Sequence, residues 1–505
     1  MRGCAPIAAA ILCATAALAE DVTLNRDMLV PAGNGMFDAS GLTLPDLAGA
    51  PTLAPGQTAP GARLLRHLAT QGQINGHNGV VYDNRDRGHS TLPKNAFPGL
   101  TRLHYGDDMG RGDYGLATRI RLPATVIGNS STAVTTGARP RSLPRLAMTT
   151  PGLPHQIYSL YVNNHLYTYP EHRDHHVVDL FPAAWPLTVT SQGSSGSDKP
   201  LLDAFLMSLA AFQPDTMTYL QNNGLVAPTL QMLLRRNLRG VESQASYLSS
   251  LAHPSAFDRE AIRTERMVGH AASLTPSDIA PMVRLSVQEE GFSHAAGLLQ
   301  RSEVLFDTPV AIARLWRGFE ERKHMRVSAS NTRDPLGRDI RYRWVLLRGD
   351  PEKVQIVPSD DTATADITID WHDAFIQPAG ASRIQTSRVD IGVFAQIGEV
   401  IGAPSFISIS FPTHQNRLYS SPNGSEARLV SIDYDAVSRQ AGFDPALYWT
   451  APWTDAAVYD AGGALTGWDR KDASRMRFVP FDDTGPGYRL DGSDGSLPTV
   501  VEVPR

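Results

Sequence analysis

Cysteine is almost missing from this chain. Its 505 residues include two, Cys4 and Cys13, and both fall within residues 1–19. Beyond that point a disulfide, a thiolate zinc site and a thiol nucleophile are all excluded. Any metal would have to be held by His, Asp, Glu or backbone oxygen. A strong charge of one sign is lacking too: the formal net charge is −5, well mixed and without a basic block. That argues against a nucleic-acid partner. No segment after the N-terminal run approaches the apolar length of a membrane helix, so no transmembrane anchor is expected in the mature chain. An H-E-x-x-H motif, the G-K-[ST] ending of a Walker loop and a long internal repeat are absent as well.

What is present begins at the N-terminus. Met1-Arg2-Gly3 leads into an uncharged run from Ala5 to Ala17. Ala17-Leu18-Ala19 follows, then Glu20-Asp21. A basic start, a short apolar core and an Ala-x-Ala end predict a secretory signal cleaved after Ala19. The mature protein is thus expected in the periplasm or outside the cell. Cys13 follows Leu12, which does not fit a lipoprotein signal.

The composition, with 42 Gly, 36 Pro and 19% charged residues, points to a loop-rich globular protein. Residues 20–62 read as an extended leader. Residues 63–323 read as an α+β functional domain, with β-like runs at Val80–Tyr82, Ala124–Ile127, Ile157–Val162 and Leu187–Thr190. Helices are predicted from Pro200, over Pro228–Leu238 and across 255–270. Another is predicted from the start signal Thr308-Pro309, burying Val310, Ile312, Trp316 and Phe319. From Arg326 the apolar period becomes two, the rhythm of a β-sandwich over 324–413. A β-rich C-terminal segment covers 414–505, with a hairpin through Val458–Trp468.

The run VSASNTRDPLGRDIRYRWVLLRGDP, from Val327 to Pro351, resembles the PKD/cadherin-like Ig-type modules of exported bacterial proteins. The resemblance spans about ninety residues and rests on a strand, a D-P-x-G turn and a Y-x-W strand. It implies an Ig-like sandwich with Trp344 as core tryptophan. Arg338 stands after the turn glycine where the family usually has an acid, which departs from a calcium-binding turn.

Three stretches carry chemistry. The loop Ser191–Asp198, SQGSSGSD, joins a strand to a helix. Small residues around Ser195 hold it as a nucleophile would be held. Gly193, Ser194, Gly196 and Ser197, with Lys199 adjacent, also suit an oxyanion hole or an anion site. The plain alternative is a tight helix entry capped by Ser197. The second stretch holds His165, His172, Asp174, His175, His176 and Asp179. His172, His175, His176 and Asp179 are candidate ligands for a divalent metal, Zn or Ca, against the alternative of a solvated polar loop. The third is Tyr82–Ser90, in which Asp86 can orient His89 as a general base; its alternative is a surface turn with local ion pairs. Asn129-Ser130-Ser131-Thr132 adds a polar lining.

The leading expectation is an exported serine-type hydrolase. Ser195 is its nucleophile, His89 or His175 its base, and Asp86 or Asp174 the orienting acid. The alternatives are a non-catalytic binding protein and a metal-dependent hydrolase centred on residues 172–176. A small molecule, a glycan or a peptide would each suit as substrate. One polar cleft built from Asp83–Ser90, His165–Asp179 and Gly193–Asp198 would unite these stretches.

Overall fold

A computed structural model describes residues 20–86, 88–109, 119–134, 141–294, 302–377, 383–413, 415–421, 427–434 and 453–480, and the short strands Tyr488–Asp491 and Thr499–Glu502. Residues 1–19, on which the expected export signal and both cysteines fall, lie outside these residues.

The N-terminal unit is built on a parallel sheet of six strands: β1 (Asp21–Leu24), β2 (Val80–Asn84), β3 (Thr101–Tyr105), β4 (Thr125–Asn129), β5 (His165–Pro170) and β6 (Thr188–Ser191). Their spatial order is β1-β3-β2-β4-β5-β6, and every neighbouring pair is parallel. Helices α1 (Ala62–Thr70), α2 (Leu143–Thr149), α3 (Leu153–Tyr161), α4 (Lys199–Ala211), α5 (Pro214–Asn222), α6 (Val226–Arg236) and α7 (Thr264–Ser273) accompany it.

Alternate strand residues enter two different cores. Val80, Tyr82, Ile127, Leu166 and Val189 join one cluster. Val81, Leu103, Val126 and Tyr167 join another. Strands buried on both faces are the mark of a parallel sheet in an α/β unit, so the unit is α/β rather than the expected α+β. The leader is not an irregular wrap, because Asp21–Leu24 supplies the edge strand beside β3. Ile157–Val162 is not a strand. Gly152, at φ 76°, and Pro154 start α3, and Ile157, Leu160 and Tyr161 are buried at helical spacing.

Two further sheets share a core. One holds β7 (Ser286–Glu290), β10 (Arg322–Ser328), β12 (Val354–Pro358) and β13 (Thr364–Asp370), in the order β7-β10-β13-β12. The other holds β8 (Val304–Thr308), β9 (Ala311–Leu315), β11 (Arg341–Arg348), β14 (Arg388–Ile397) and β15 (Ser405–Ser410), in the order β8-β9-β15-β14-β11. The β9–β15 pair is parallel, which departs from the antiparallel sheets the Ig-type resemblance implies.

Thr308-Pro309 opens a hairpin rather than a helix: Thr308 Oγ1 accepts from Ala311 N at 3.1 Å and donates to Ala311 O at 2.9 Å. Ala311 and Ala313 face the α/β core, while Ile312 and Trp316 face the sandwich core. The second sheet therefore lies between two cores, and the β-layers begin near Val283 rather than residue 324.

Trp316 is fully buried among Phe292, Trp371 and Phe411. Trp344 is half-buried and donates to Thr362 O at 2.9 Å, so the core tryptophan is Trp316. At the D-P-x-G turn, Arg338 pairs with Asp334 at 2.8 Å and occupies that carboxylate.

The C-terminal segment forms an antiparallel sheet of five strands between Asn416 and Pro480. Its hairpin Thr454–Tyr459 with Leu465–Lys471 stands where the sequence predicts one. Among the described residues no helix is long and apolar enough to cross a membrane.

Candidate active site

The strand order creates a switch point. The chain passes from β2 outward to β3, then returns to the opposite side of β2 as β4. The loops leaving β2 and β4 diverge there, and such sheets place ligands in the crevice at those carboxyl ends. Asp83–Ser90 follows β2, and Asn129–Thr132 follows β4.

Along β2 the side chains divide by face. Asp83 is fully buried, accepting from Arg85 Nε at 2.6 Å, Tyr167 OH at 2.8 Å and Tyr105 OH at 3.0 Å. It braces the strands, and its burial behind these three donors keeps it from a ligand. Asn84 folds the next turn. Its Oδ1 accepts from the amides of Asp86 and Gly88, and its Nδ2 donates to His89 O at 3.0 Å. Ser90 then adopts φ 58°, a left-handed value that costs a serine about 1–2 kcal/mol.

This turn presents Asp86 and His89 to Ser131. Asp86 Oδ2 accepts from Ser131 N at 2.7 Å and from Ser131 Oγ at 2.6 Å. Ser131 Oγ lies 2.5 Å from His89 Nδ1, whereas Asp86 reaches that nitrogen directly only at 3.7 Å. The serine hydroxyl has one proton. Given to Asp86, it leaves the oxygen to accept from Nδ1–H of His89. The network thereby assigns the neutral ring its Nδ1–H tautomer and leaves Nε2 as a free base. The histidine side chain is 67% exposed and the aspartate 4%.

A second carboxylate joins from α4. Asp198 is buried and accepts from Asn129 Nδ2 at 2.6 Å and Ser90 Oγ at 3.0 Å. Burial pushes its pKa up and the charge of Asp86 adds to this, while the Asn129 and Ser90 bonds oppose them. Tyr82 OH holds the other end of Asn129 at 2.9 Å. Asp198, not Ser197, occupies the N-cap of α4, yet its carboxylate turns away from the helix amides to these partners.

The histidine segment and the Ser/Gly loop close the edge. His172, at φ 47°, lies with Nε2 2.6 Å from Ser131 O, and its amide donates to Gly193 O at 3.0 Å. Glu171 accepts from Gly193 N at 2.9 Å and His175 N at 3.0 Å. Burial raises its pKa against those bonds. Ser90, His172 and Arg173 are three of the six non-glycine residues with positive φ among the described residues. Backbone strain gathered at one edge points toward function.

In the loop itself, the Ser197 and Lys199 amides are already bonded, to Ser194 O and Gly196 O. Gly193 and Gly196 have φ 117° and 89°, values glycine adopts without strain. The amides of Ser194, Ser195 and Gly196 have no acceptor among the described residues. The Ser195 hydroxyl is exposed and makes no hydrogen bond to any described histidine. Lys199 starts α4 and draws down the pKa of Asp203, which burial raises to about 6.

The remaining sequence candidates serve structure. His165 starts β5 fully buried, with Nδ1 2.6 Å from Asn163 O and Nε2 accepting from Leu122 N. Asp174 orients no histidine; it pairs with buried Arg145 at 2.8 Å and accepts from Ser142 at the start of α2. Asp179 is taken by Arg348, Arg388 and Ser255. His176 points to solvent. His172, His175, His176 and Asp179 therefore do not assemble into a metal set, and among the described residues no group of three or more His, Cys, Asp or Glu could hold a metal ion.

The sequence marks Asn129 and Ser131 only as a polar lining, and it does not single out Glu171. Ser131 and Asn129 sit just past a β-branched strand, in a polar run whose position beside β2 only the sheet order reveals.

The class defined by this fold and edge is an α/β unit with a polar switch-point centre, followed by β-layers. No family model matches the chain, and no curated relative matches it. A solved structure of a nucleoside hydrolase-related hypothetical protein from Saccharophagus degradans, described as associated with carbohydrate metabolism, is similar at 11% identity. The match covers 66% of this chain and all of that one, with a TM-score of 0.20, too low to support a shared fold.

Proposed function

We propose that the protein is a hydrolase whose general base is His89. The observation that supports this reading is the hydrogen-bonded chain Asp86–Ser131–His89 at the switch point, which ends in an exposed Nε2. In this reading Nε2 takes a proton from water as the water oxygen attacks an electrophilic centre. The buried Asp86 stabilises the imidazolium through the Ser131 hydroxyl. The imidazolium then returns a proton to the leaving group, and the bond to that group breaks. The amides of Ser194, Ser195 and Gly196, which have no acceptor among the described residues, are the donors this reading assigns to the developing negative charge. Water replaces Ser195 as the attacking group because no described histidine is bonded to that hydroxyl.

The test is a panel of chromogenic p-nitrophenyl esters, phosphates and glycosides. One class should turn over, and His89→Ala should lower kcat by about 100-fold or more with an unchanged melting temperature. Silence across the panel, or turnover that survives His89→Ala, overturns the reading. Turnover abolished by Ser195→Ala and accompanied by covalent fluorophosphonate labelling would restore the serine as nucleophile and overturn the water mechanism.

A further inference from the structure

A cavity of about 400 Å³ lies where the α/β unit meets the β-layers. It is separate from the His89 centre, beyond the carboxyl end of β6 at the far edge of the sheet. The sheet anchors its floor: Phe257 N donates to Thr190 O at 2.7 Å, and Gln192 N to Phe257 O at 2.9 Å. The second sheet contributes the opposite wall with Arg348, and Gln377 and Ile384 extend it.

Four polar side chains on this wall have unused hydrogen-bonding capacity. Neither ring nitrogen of His175 has a partner among the described residues, although the residue is only 8% exposed. The Ser250 hydroxyl and the Gln377 side-chain amide also have none. Gln192 uses only Nε2, toward Ala256 O at 3.3 Å. The buried Nδ1 of His175 is costly without a partner, and Nε2, which is not sealed from solvent, is open to a ligand. Burial, the largest influence, pushes the His175 pKa down and keeps the ring neutral.

The charges around the cavity do not favour an ion. Arg348 is committed to Asp179 and Asp390. Arg239 lines the same cavity as Asp258 and Glu260, so both signs are present. The remaining surface is apolar, from Leu251, Phe257 and Ile384. One apolar wall and a set of neutral groups that both donate and accept complement a sugar ring, with its C–H face and its rim of hydroxyls.

We propose that this junction cavity binds a neutral saccharide of one or two rings, held by His175, Gln192, Ser250 and Gln377 against the wall of Leu251, Phe257 and Ile384. The inference does not depend on the reaction assigned to His89.

The experiment uses the full chain, with calorimetry and thermal shift against glucose, galactose, N-acetylglucosamine, maltose and cellobiose at up to about 10 mM. Adenosine and inorganic phosphate serve as contrasts. At least one sugar should raise the melting temperature saturably. Leu251 is 39% exposed, so Leu251→Trp fills the cavity from its rim without disturbing the core. It and Gln192→Leu should each weaken sugar binding at least ~10-fold, while His89→Ala leaves it unchanged. No sugar binding in this range, binding indifferent to both cavity variants, or cavity-dependent binding of phosphate or adenosine instead overturns the proposal.

Discussion

At the scale of single residues, Ser131 tests the proposed base most sharply. Its hydroxyl bridges the Asp86 and His89 side chains, whose direct approach is 3.7 Å. Ser131→Ala keeps both charged partners and the backbone amide that binds Asp86. It removes the atom that selects the tautomer of His89. In whichever assay turns over, kcat should fall about 10–100-fold with KM little changed. The ¹⁵N spectrum should show His89 passing from one tautomer to a mixture, a change that a purely structural serine would not cause. An unaltered spectrum with unaltered kcat would rule the relay out. His89 and Asp86 were legible in the sequence because a turn with Gly88 brings them three residues apart. Ser131 showed only as a polar lining, because it follows another strand and only sheet order makes it a neighbour.

At the scale of elements, Trp316 takes the core role that the sequence assigns to Trp344. Trp316 is enclosed by three aromatic rings, and Trp344 sits at a half-open margin. Trp316→Ala should therefore destabilise by about 3–5 kcal/mol and Trp344→Ala by clearly less, as read from urea midpoints. Equal losses would contradict this placement. The same region shows why periodicity misled. Val310, Ile312, Trp316 and Phe319 fit a helical face when only apolar identity is counted. They lie on and beside a strand whose two sides are both buried, so polar residues that would mark alternation are missing. Where a helix has one buried and one open side, or is wholly buried but long, the pattern reads correctly: α4 and α6 stand where Leu201–Phe212 and Leu230–Leu234 predict them. The parallel order of β1 to β6 was beyond reach, since the connection from β2 to β3 contains no helix to announce a crossover.

At the scale of the whole molecule, buried histidines set the acid limit. His77 bonds Leu206 O at 2.9 Å, and His165 is held at both nitrogens. Burial lowers both pKa values to about 4, and that of His253 falls well below its ordinary value. An unfolded histidine titrates near 6.5. The folded forms are thus depressed, and their stabilising effect is complete above about pH 6.5 and lost as pH falls toward 4. Urea midpoints should drop steadily between about pH 7 and 5, with unfolding taking up about two to three protons. A flat profile across that window would contradict the burial of these rings. Asp179 acts at still lower pH, because Arg388 and Arg348 hold its carboxyl below the usual range against burial.

The sheet β8-β9-β15-β14-β11 has a consequence for how this chain can be divided. Its residues fill one core on one side and another core on the other. Asp179 and Ser255 of the α/β unit are tied to Arg348 and Arg388 of the same sheet. A gene cut near residue 324 or 283 would not release two independent modules. It would leave an α/β fragment with a bare apolar face and a buried Asp179 without its cations, beside a β-fragment whose two buried guanidinium groups share Asp390 alone. Separate expression of either half should therefore yield an unfolded or aggregating fragment rather than a working module.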